Sequence, residues 1–296
     1  MVKMENKNVV FVTIDSCRYD IAKEAIIPTI KSIGKLRKAY THGSYTVPAH
    51  AALFAGHLPT VMSGEKEPYY SDSVNQLWRI ATGTIRDSKS VGVLLYGKHV
   101  LEGYRNRGFY VLGTGGVTQF ANGSQLRSYF TDEFLYYGFQ LDEEPLSPRS
   151  EKHFPLNHID EIVERLAKHD KWFLFVNCPE THYPYDTGKG ISKDVQRYFP
   201  KLKKVLNLRE NDCSIPRDYS LVLKDMQKKA LESVDEKLEI LFDRIPRKKD
   251  TLVVICSDHG DNFGEYFAGR QRWGHLFPSP NVMQVPLVIG GLNGNR

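Results

Sequence analysis

Five stretches of the sequence carry side chains suited to metal-assisted chemistry on an anionic ligand. Thr46 stands two residues ahead of Pro48, at the start of TVPAHAALFA. A hydroxyl there meets the positive end of a helix, whose free N–H groups favour a bound anion; a plain helix-capping threonine gives the same pattern. Asp258-His259 follows TLVVICS, with Gly260, Asp261 and Glu265 close behind. A carboxylate and an imidazole side by side at a strand end make half of a divalent-metal site. Asp15 follows NVVFVTI in the same manner, although an aspartate at a strand end also serves as a turn or cap residue. His182 in ETHYPY and His275 in WGH add two imidazoles, each of which alone reads equally as a structural or surface histidine.

The segments around these residues say what must position them. Residues 8–14, 172–178 and 251–257 are short apolar runs rich in β-branched or aromatic residues, the pattern of buried parallel strands, and 285–289 (VPLVI) are the last strand. Residues 90–96 and 108–114 are two further strand candidates. Helical spacing covers 20–39, interrupted at Pro28, and 158–169 and 218–243. Residues 48–55 form a Pro-initiated helix that Gly56 and Pro59 end. Strands alternating with helices predict an α/β fold, a mostly parallel central sheet with helices on both faces. In such sheets ligands bind beyond the carboxyl ends of the strands, where Asp15, the His182 loop and Asp258-His259 all fall. The whole chain, 1–296, reads as one catalytic domain, with 187–217 as a cap or lid insertion.

Composition narrows the function classes. The 296 residues are 41% hydrophobic and 25% charged, enough for a sizeable core and an ordinary surface. A formal charge of +5 favours small anionic ligands but is too slight to argue for nucleic acid. Cys17, Cys178, Cys213 and Cys256 form no C-x-x-C pair, and the first eight residues lack the apolar stretch of a secretory signal. No run approaches the ~18 apolar residues of a membrane span. A cytoplasmic protein with no membrane or nucleic-acid partner is the expectation, with homo-oligomerisation left open.

Taken together, the motifs resemble the alkaline phosphatase and sulfatase superfamily. Residues 9–20 are similar to its opening strand followed by D-[ST]-x-R-x-D. TVPAHAALFAGHLP (46–59) resembles the nucleophile motif [CST]-x-P-[SA]-[RH]-x-x-L-x-x-G-x-x-P. SDHGDNFGE (257–265) resembles S-D-H-G-[ED]-x-x-G-E, His182-Tyr183-Pro184-Tyr185 the central H-x-P-[YF] loop, and 274–289 the downstream histidine region. The blocks come in family order and span almost the whole chain.

The resemblance implies an alkaline-phosphatase-like fold, here without the usual C-terminal subdomain, and a role for each matched residue. Asp15, Thr46, Asp258 and His259 would hold a divalent cation, Zn or Mn by donor type, with Mg or Ca as the oxygen-rich alternatives. Thr46 would be the nucleophile, activated by coordination. His182 and His275 would face the far side of the substrate, binding its oxygens, protonating the leaving group, or holding a second ion. His50, where sulfatases usually carry Arg, would stabilise the nucleophile or the anion. The usual Asp before the central histidine is missing, so Asp186 or Glu180 would have to replace it. Sulfatases oxidise a Cys or Ser at the nucleophile position, whereas phosphodiesterase and phosphotransferase branches use Thr directly. Ser16 likewise lacks the second acid of many sulfatases. The implied activity is therefore hydrolysis of a phosphate-type ester (phosphodiester, phosphonate or phosphomonoester) through phospho-Thr46. The alternatives are a phosphotransferase, a sulfuric ester hydrolase, or a degenerate metal-binding scaffold. Lys98 and His99 read as surface residues and Asp235 as structural. Tyr69-Tyr70 and Tyr136-Tyr137 read as packing or pocket aromatics.

Overall fold

The computed structural model describes residues 7–56, 99–124, 126–138, 150–187, 193, 217–275 and 277–292. The strand expected at 90–96, the Tyr69-Tyr70 pair, Lys98, Cys213 and nearly all of the 187–217 insertion lie outside these residues.

β1 (Asn8–Ile14) is the middle of the sheet because all of its residues but Phe11 are buried. It pairs in parallel with β5 (Trp172–Cys178) on one side and β6 (Thr251–Cys256) on the other. Beyond β5 lie β3 (Tyr110–Gly115) and β4 (Glu133–Tyr136), both parallel. Beyond β6 lies β9 (Gln284–Gly291), which runs antiparallel, and β2 (Arg37–Tyr40) closes that edge against β9. The order among the described residues is β2-β9-β6-β1-β5-β3-β4.

Period-two alternation sends β1 side chains to two separate cores. Val10, Val12 and Ile14 pack with Leu174 and Val176 of β5 and Val253 and Ile255 of β6. Ile30 and Ile33 of α2 (Pro28–Ile33), Ile159, Ile162 and Leu166 of α5 (Ile159–Ala167), and Leu231, Val234, Leu238 and Leu241 of α6 (Arg217–Arg244) cover that face. Val9 packs on the other face with Phe173 and Phe175, under Phe54 of α3 (Thr46–Ala55) and Leu101 of α4 (Val100–Arg105). Helices on both faces of a mostly parallel sheet are thus observed.

The 20–39 stretch behaves differently from its helical spacing. It breaks at Pro28 into α1 (Tyr19–Glu24) and α2, then leaves the helix altogether as β2. Gly34 allows the change. A Cβ there would stand 2.6 Å from the Ile289 carbonyl oxygen, so only glycine lets the chain come this close to β9. Strand pairing with β9 then overrides a weak helical pattern. β4 was also not expected, nor was the hairpin of β7 (Asn262–Phe267) and β8 (Arg270–Gly274), which turns through Ala268 and Gly269 at positive φ. His99 is half-buried and caps α4, accepting from Glu102 N at 3.2 Å. Asp235 has the structural role expected of it: its carboxylate accepts from Thr29 N and Ile30 N at the start of α2. Tyr137 packs flat on His158 and donates to Glu161. No helix among the described residues is long and apolar enough to cross a membrane.

Candidate metal centre and active site

Since β6, β1 and β5 are neighbours, their carboxyl ends deliver Asp258, Asp15 and the 179–182 loop to one place. Asp15, Asp258 and His259 are fully buried, and each offers a ligand atom within 4.8 Å of the others. His259 Nε2 lies 3.5 Å from Asp258 Oδ2 and 3.8 Å from Asp15 Oδ1.

The local hydrogen bonds leave a donor atom open on each side chain. Ser16 adopts a left-handed φ of 61°, an uncommon conformation for a non-glycine residue. That turn aims Ser16 N at Asp258 Oδ1 (3.1 Å) while its hydroxyl donates to Asp15 Oδ1 (3.1 Å). His259 N also donates to Asp258 Oδ1 (2.9 Å). Asp15 Oδ2 and Asp258 Oδ2 have no hydrogen-bond partner among the described residues, and neither has His259 Nε2. The Gly260 carbonyl, 2.8 Å from His259 Nδ1, can only accept, so Nδ1 carries the proton and Nε2 keeps its lone pair. Two buried carboxylate oxygens and an imidazole lone pair without partners are costly unless a cation joins them. This donor set fits a divalent metal ion.

The electrostatics agree. Burial, and then the neighbouring Asp15 charge, push Asp258 well above the usual carboxylate range. Burial also opposes ionisation of Asp15, but His182, His259, His50 and His275 together hold it below its ordinary value. Without a cation the two buried carboxyls oppose each other's ionisation, and Asp258 is the one held high.

Outer contacts tie the ligand loops together. Arg18 is buried and forks onto Asp20, with Nε–Oδ1 2.9 Å and Nη2–Oδ2 2.7 Å, while Nη1 reaches Glu265 Oε1 at 2.5 Å and the Asp261 carbonyl at 3.2 Å. The Arg and second Asp of the opening motif thus clasp the Glu of the Asp258 motif. Gln227 of α6 accepts from Arg18 N and donates to the Ser16 and Thr181 carbonyls. Thr181 in turn donates to the Asp15 carbonyl at 2.5 Å, and Thr41 to the Asp258 carbonyl. We expect Arg18→Met to cost about 2–3 kcal/mol in denaturant unfolding. That is below the range for a fully enclosed pair, since Asp20 and Glu265 keep contact with solvent.

Gly260 has a different reason. A Cβ on it would fall 2.0 Å from the Asn281 carbonyl oxygen in α7 (Pro280–Met283). Gly260→Ala must therefore push α7 away from the His259 loop. The expected loss is about 1–3 kcal/mol, read as a lower Tm.

The remaining candidates flank this centre. The His275 and His259 rings are 4.5 Å apart, and the half-buried His182 is 5.4 Å from His275 between ring centroids. His182 Nδ1 donates to the Tyr183 carbonyl at 2.8 Å, which places its lone pair on Nε2. The carboxylate beside His275 is that of Asp261, Oδ1 to Nδ1 3.7 Å. Glu180 faces Lys237 of α6 at 3.6 Å. Thr46 is buried in the first turn of α3, and that turn reaches the centre through His50, whose Nδ1 lies 2.8 Å from the Thr46 carbonyl oxygen and 3.6 Å from Asp258 Oδ2. Burial pushes the His50 imidazole down to about 4.

Sequence reasoning missed Gln227, Thr181 and the Arg18 clasp. Asp20, Arg18 and Glu265 were visible as motif letters without a partner; a lone Gln in a Lys-rich helix gave no signal.

The family model described as Sulfatase matches residues 7–294. The chain belongs to the sulfatase family. Choline-sulfatase of Rhizobium meliloti is 22% identical to this sulfatase-family chain over 304 residues, 89% of this chain and 57% of that protein. The chain therefore spans less than two thirds of that relative's length. Among solved structures, the phosphonate monoester hydrolase of Agrobacterium radiobacter superposes with a TM-score of 0.60 at 14% identity, covering 97% of this chain and 68% of the other. The C-terminal periplasmic domain of EptC from Escherichia coli, in complex with Zn, gives 0.57 at 14% identity, over 97% and 73%. These likenesses show that the sulfatase-family chain shares its fold with both structures.

Proposed function

We propose that the chain is a metal-dependent hydrolase of a phosphate-type ester that works through a covalent phospho-Thr46 intermediate. The observation that carries this is the cluster of Asp15 Oδ2, Asp258 Oδ2 and His259 Nε2, buried and unpartnered, beside the helix turn that bears a threonine. A divalent cation held by Asp15, Asp258 and His259, with Thr46 completing the set, would acidify the hydroxyl and neutralise charge on the ester oxygens. Zn or Mn suits the mixed carboxylate and imidazole donors, and the EptC structure contains Zn.

The chain's own residues divide the remaining work. Thr46 Oγ gives up its proton to a neighbouring imidazole, such as His182 at Nε2, and attacks phosphorus; the bond from phosphorus to the leaving oxygen breaks, and His182 or His275 in its protonated form returns the proton to the departing alkoxide. Water then attacks phospho-Thr46, the phosphate product leaves, and the threonine hydroxyl is restored. N–H groups at the start of α3 and its dipole favour the anionic group throughout. An acceptor alcohol in place of water would make the same intermediate a phosphotransferase. A sulfuric ester is the second reading, favoured by the choline-sulfatase relative; against it, oxidation of a threonine gives a ketone rather than an aldehyde. Cys17, Cys178 and Cys256 are free and buried, in keeping with a reducing, cytoplasmic setting.

Phosphomonoester, phosphodiester, phosphonate and sulfate esters, assayed with Zn or Mn, test the proposal. Turnover of phosphorus esters and a phosphoryl adduct on Thr46 by mass spectrometry are expected. Turnover confined to sulfate esters would replace it with the second reading. Bound metal with no turnover of any ester would favour a scaffold.

A further inference from the structure

We propose that His50 is a positioning residue, whose ring fixes the first turn of α3 against the Asp258 carboxylate through a buried relay that begins at Asn177. The consequence for catalysis rests on the reading of Thr46 as nucleophile; the relay itself does not.

His50 is wholly buried, and both of its ring nitrogens have protein partners. Its partners define its hydrogens. The Thr46 carbonyl oxygen only accepts, so Nδ1 is the N–H, donating at 2.8 Å. The same N–H edge faces Asp258 Oδ2 at 3.6 Å. Nε2 is then the acceptor for the Thr13 hydroxyl at 2.9 Å. Thr13 Oγ1 in its turn accepts from Asn177 Nδ2 at 3.3 Å. Thr13 and Asn177 are register partners on β1 and β5, so the relay starts inside the sheet. Phe120 and Phe175 meet the ring edge-on at 5.1 and 5.7 Å, and Phe54 lies tilted at 5.9 Å.

Two features set this apart from a histidine that merely fills space. Each ring nitrogen has a directed partner, and the partners lie on three elements, β1, α3 and the end of β6. Thr13 lies two residues before Asp15 on the same strand, so one ring ties the sheet end that carries a candidate ligand to the turn that carries Thr46. Of the two roles the resemblance implied for His50, stabilising the nucleophile or the anion, the engagement of both nitrogens favours the first, exercised through the turn that carries Thr46.

Asparagine can restore the donor near Nδ1, and glutamine reaches the Nε2 position instead. We expect His50→Ala and His50→Gln to lower kcat on bis(4-nitrophenyl) phosphate by about 100-fold, the scale of a misplaced reacting group. KM and metal affinity should change only a few-fold. His50→Asn should recover to within about tenfold of the parent. Equal losses in all three variants, a better rescue by Gln than by Asn, or no loss in His50→Ala would each overturn the proposal. Nitrogen-15 imidazole NMR of the metal-free protein should show an Nδ1–H tautomer that Thr13→Val perturbs and Thr46→Ala leaves in place. An Nε2–H tautomer would overturn the relay. If Thr46→Ala keeps turnover while the tautomer is as stated, the nucleophile assignment fails and the relay stands.

Discussion

Replacing Thr46 by alanine should abolish turnover, with kcat falling at least about 10³-fold, while Tm stays near the parent value and metal binding, losing the ligand that completes its set, weakens. Loss of a nucleophile removes the covalent route altogether, and what survives is the catalysis supplied by binding and charge stabilisation. Thr46 is buried, but its side chain is small and its helix is held by Phe54 in the aromatic core and by His50. The fold should therefore tolerate the change. Thr46→Ser is the companion variant: it keeps the hydroxyl and should keep most of the activity. A Thr46→Ala protein with kcat within tenfold of the parent would place the nucleophile elsewhere, and the phospho-threonine pathway would be abandoned.

Asp258→Asn should weaken binding of Zn or Mn by more than about 100-fold, since loss of an outer partner of a ligand already costs 10–100-fold. The pH dependence supplies a second, sharper signature. Asp258 is raised well above 3.8 in the folded, metal-free chain, by burial and then by Asp15. A raised acid binds its proton more tightly folded than unfolded. Its stabilising contribution is therefore complete below about 3.8 and is lost as pH rises through the folded value. Asp15, held low, works in the opposite sense and only below 3.8, where falling pH removes its contribution. The metal-free protein should thus lose stability from pH 4 upwards, and Asp258→Asn should flatten that slope. A cation needs both carboxylates ionised, so its binding should release a proton and tighten with pH over the same window. Calorimetry in buffers of different ionisation enthalpy measures the proton directly. Metal at 100 times Kd adds about 2.7 kcal/mol, so at a fixed metal concentration the stabilisation should grow as Kd tightens with pH. Metal binding with no proton release would mean that Asp258 is already ionised, and the picture of a raised Asp258 would fall.

Much of this molecule is written in runs of neighbouring residues. NVVFVTI, WFLFVNC and TLVVIC each declare a buried strand by apolar content alone, and the first and third end where a polar residue, Asp15 or Ser257, begins. The D-S-x-R-x-D, T-V-P-A-H and S-D-H-G-D letters named the candidate ligands, because metal and phosphoryl chemistry tolerates few side-chain types. The sheet edges were less legible. RKAY and EFLY are four residues each, too short for periodicity to register, and their strand character comes only from the neighbour they pair with.

What the tertiary structure alone decided is the state of each atom at the site. Ser16 meets Asp258 across 242 positions of chain, and Arg18 meets Glu265 across 247. Local pattern carries no information over such distances; the adjacency of β6, β1 and β5 creates it. Sequence therefore chose the residue types, and the fold chose which oxygen is bonded, which imidazole nitrogen keeps its lone pair, and that the histidine at position 50 faces a threonine carbonyl and a strand hydroxyl. Those choices follow from the need of every buried polar group to find a partner, and partners are set by packing.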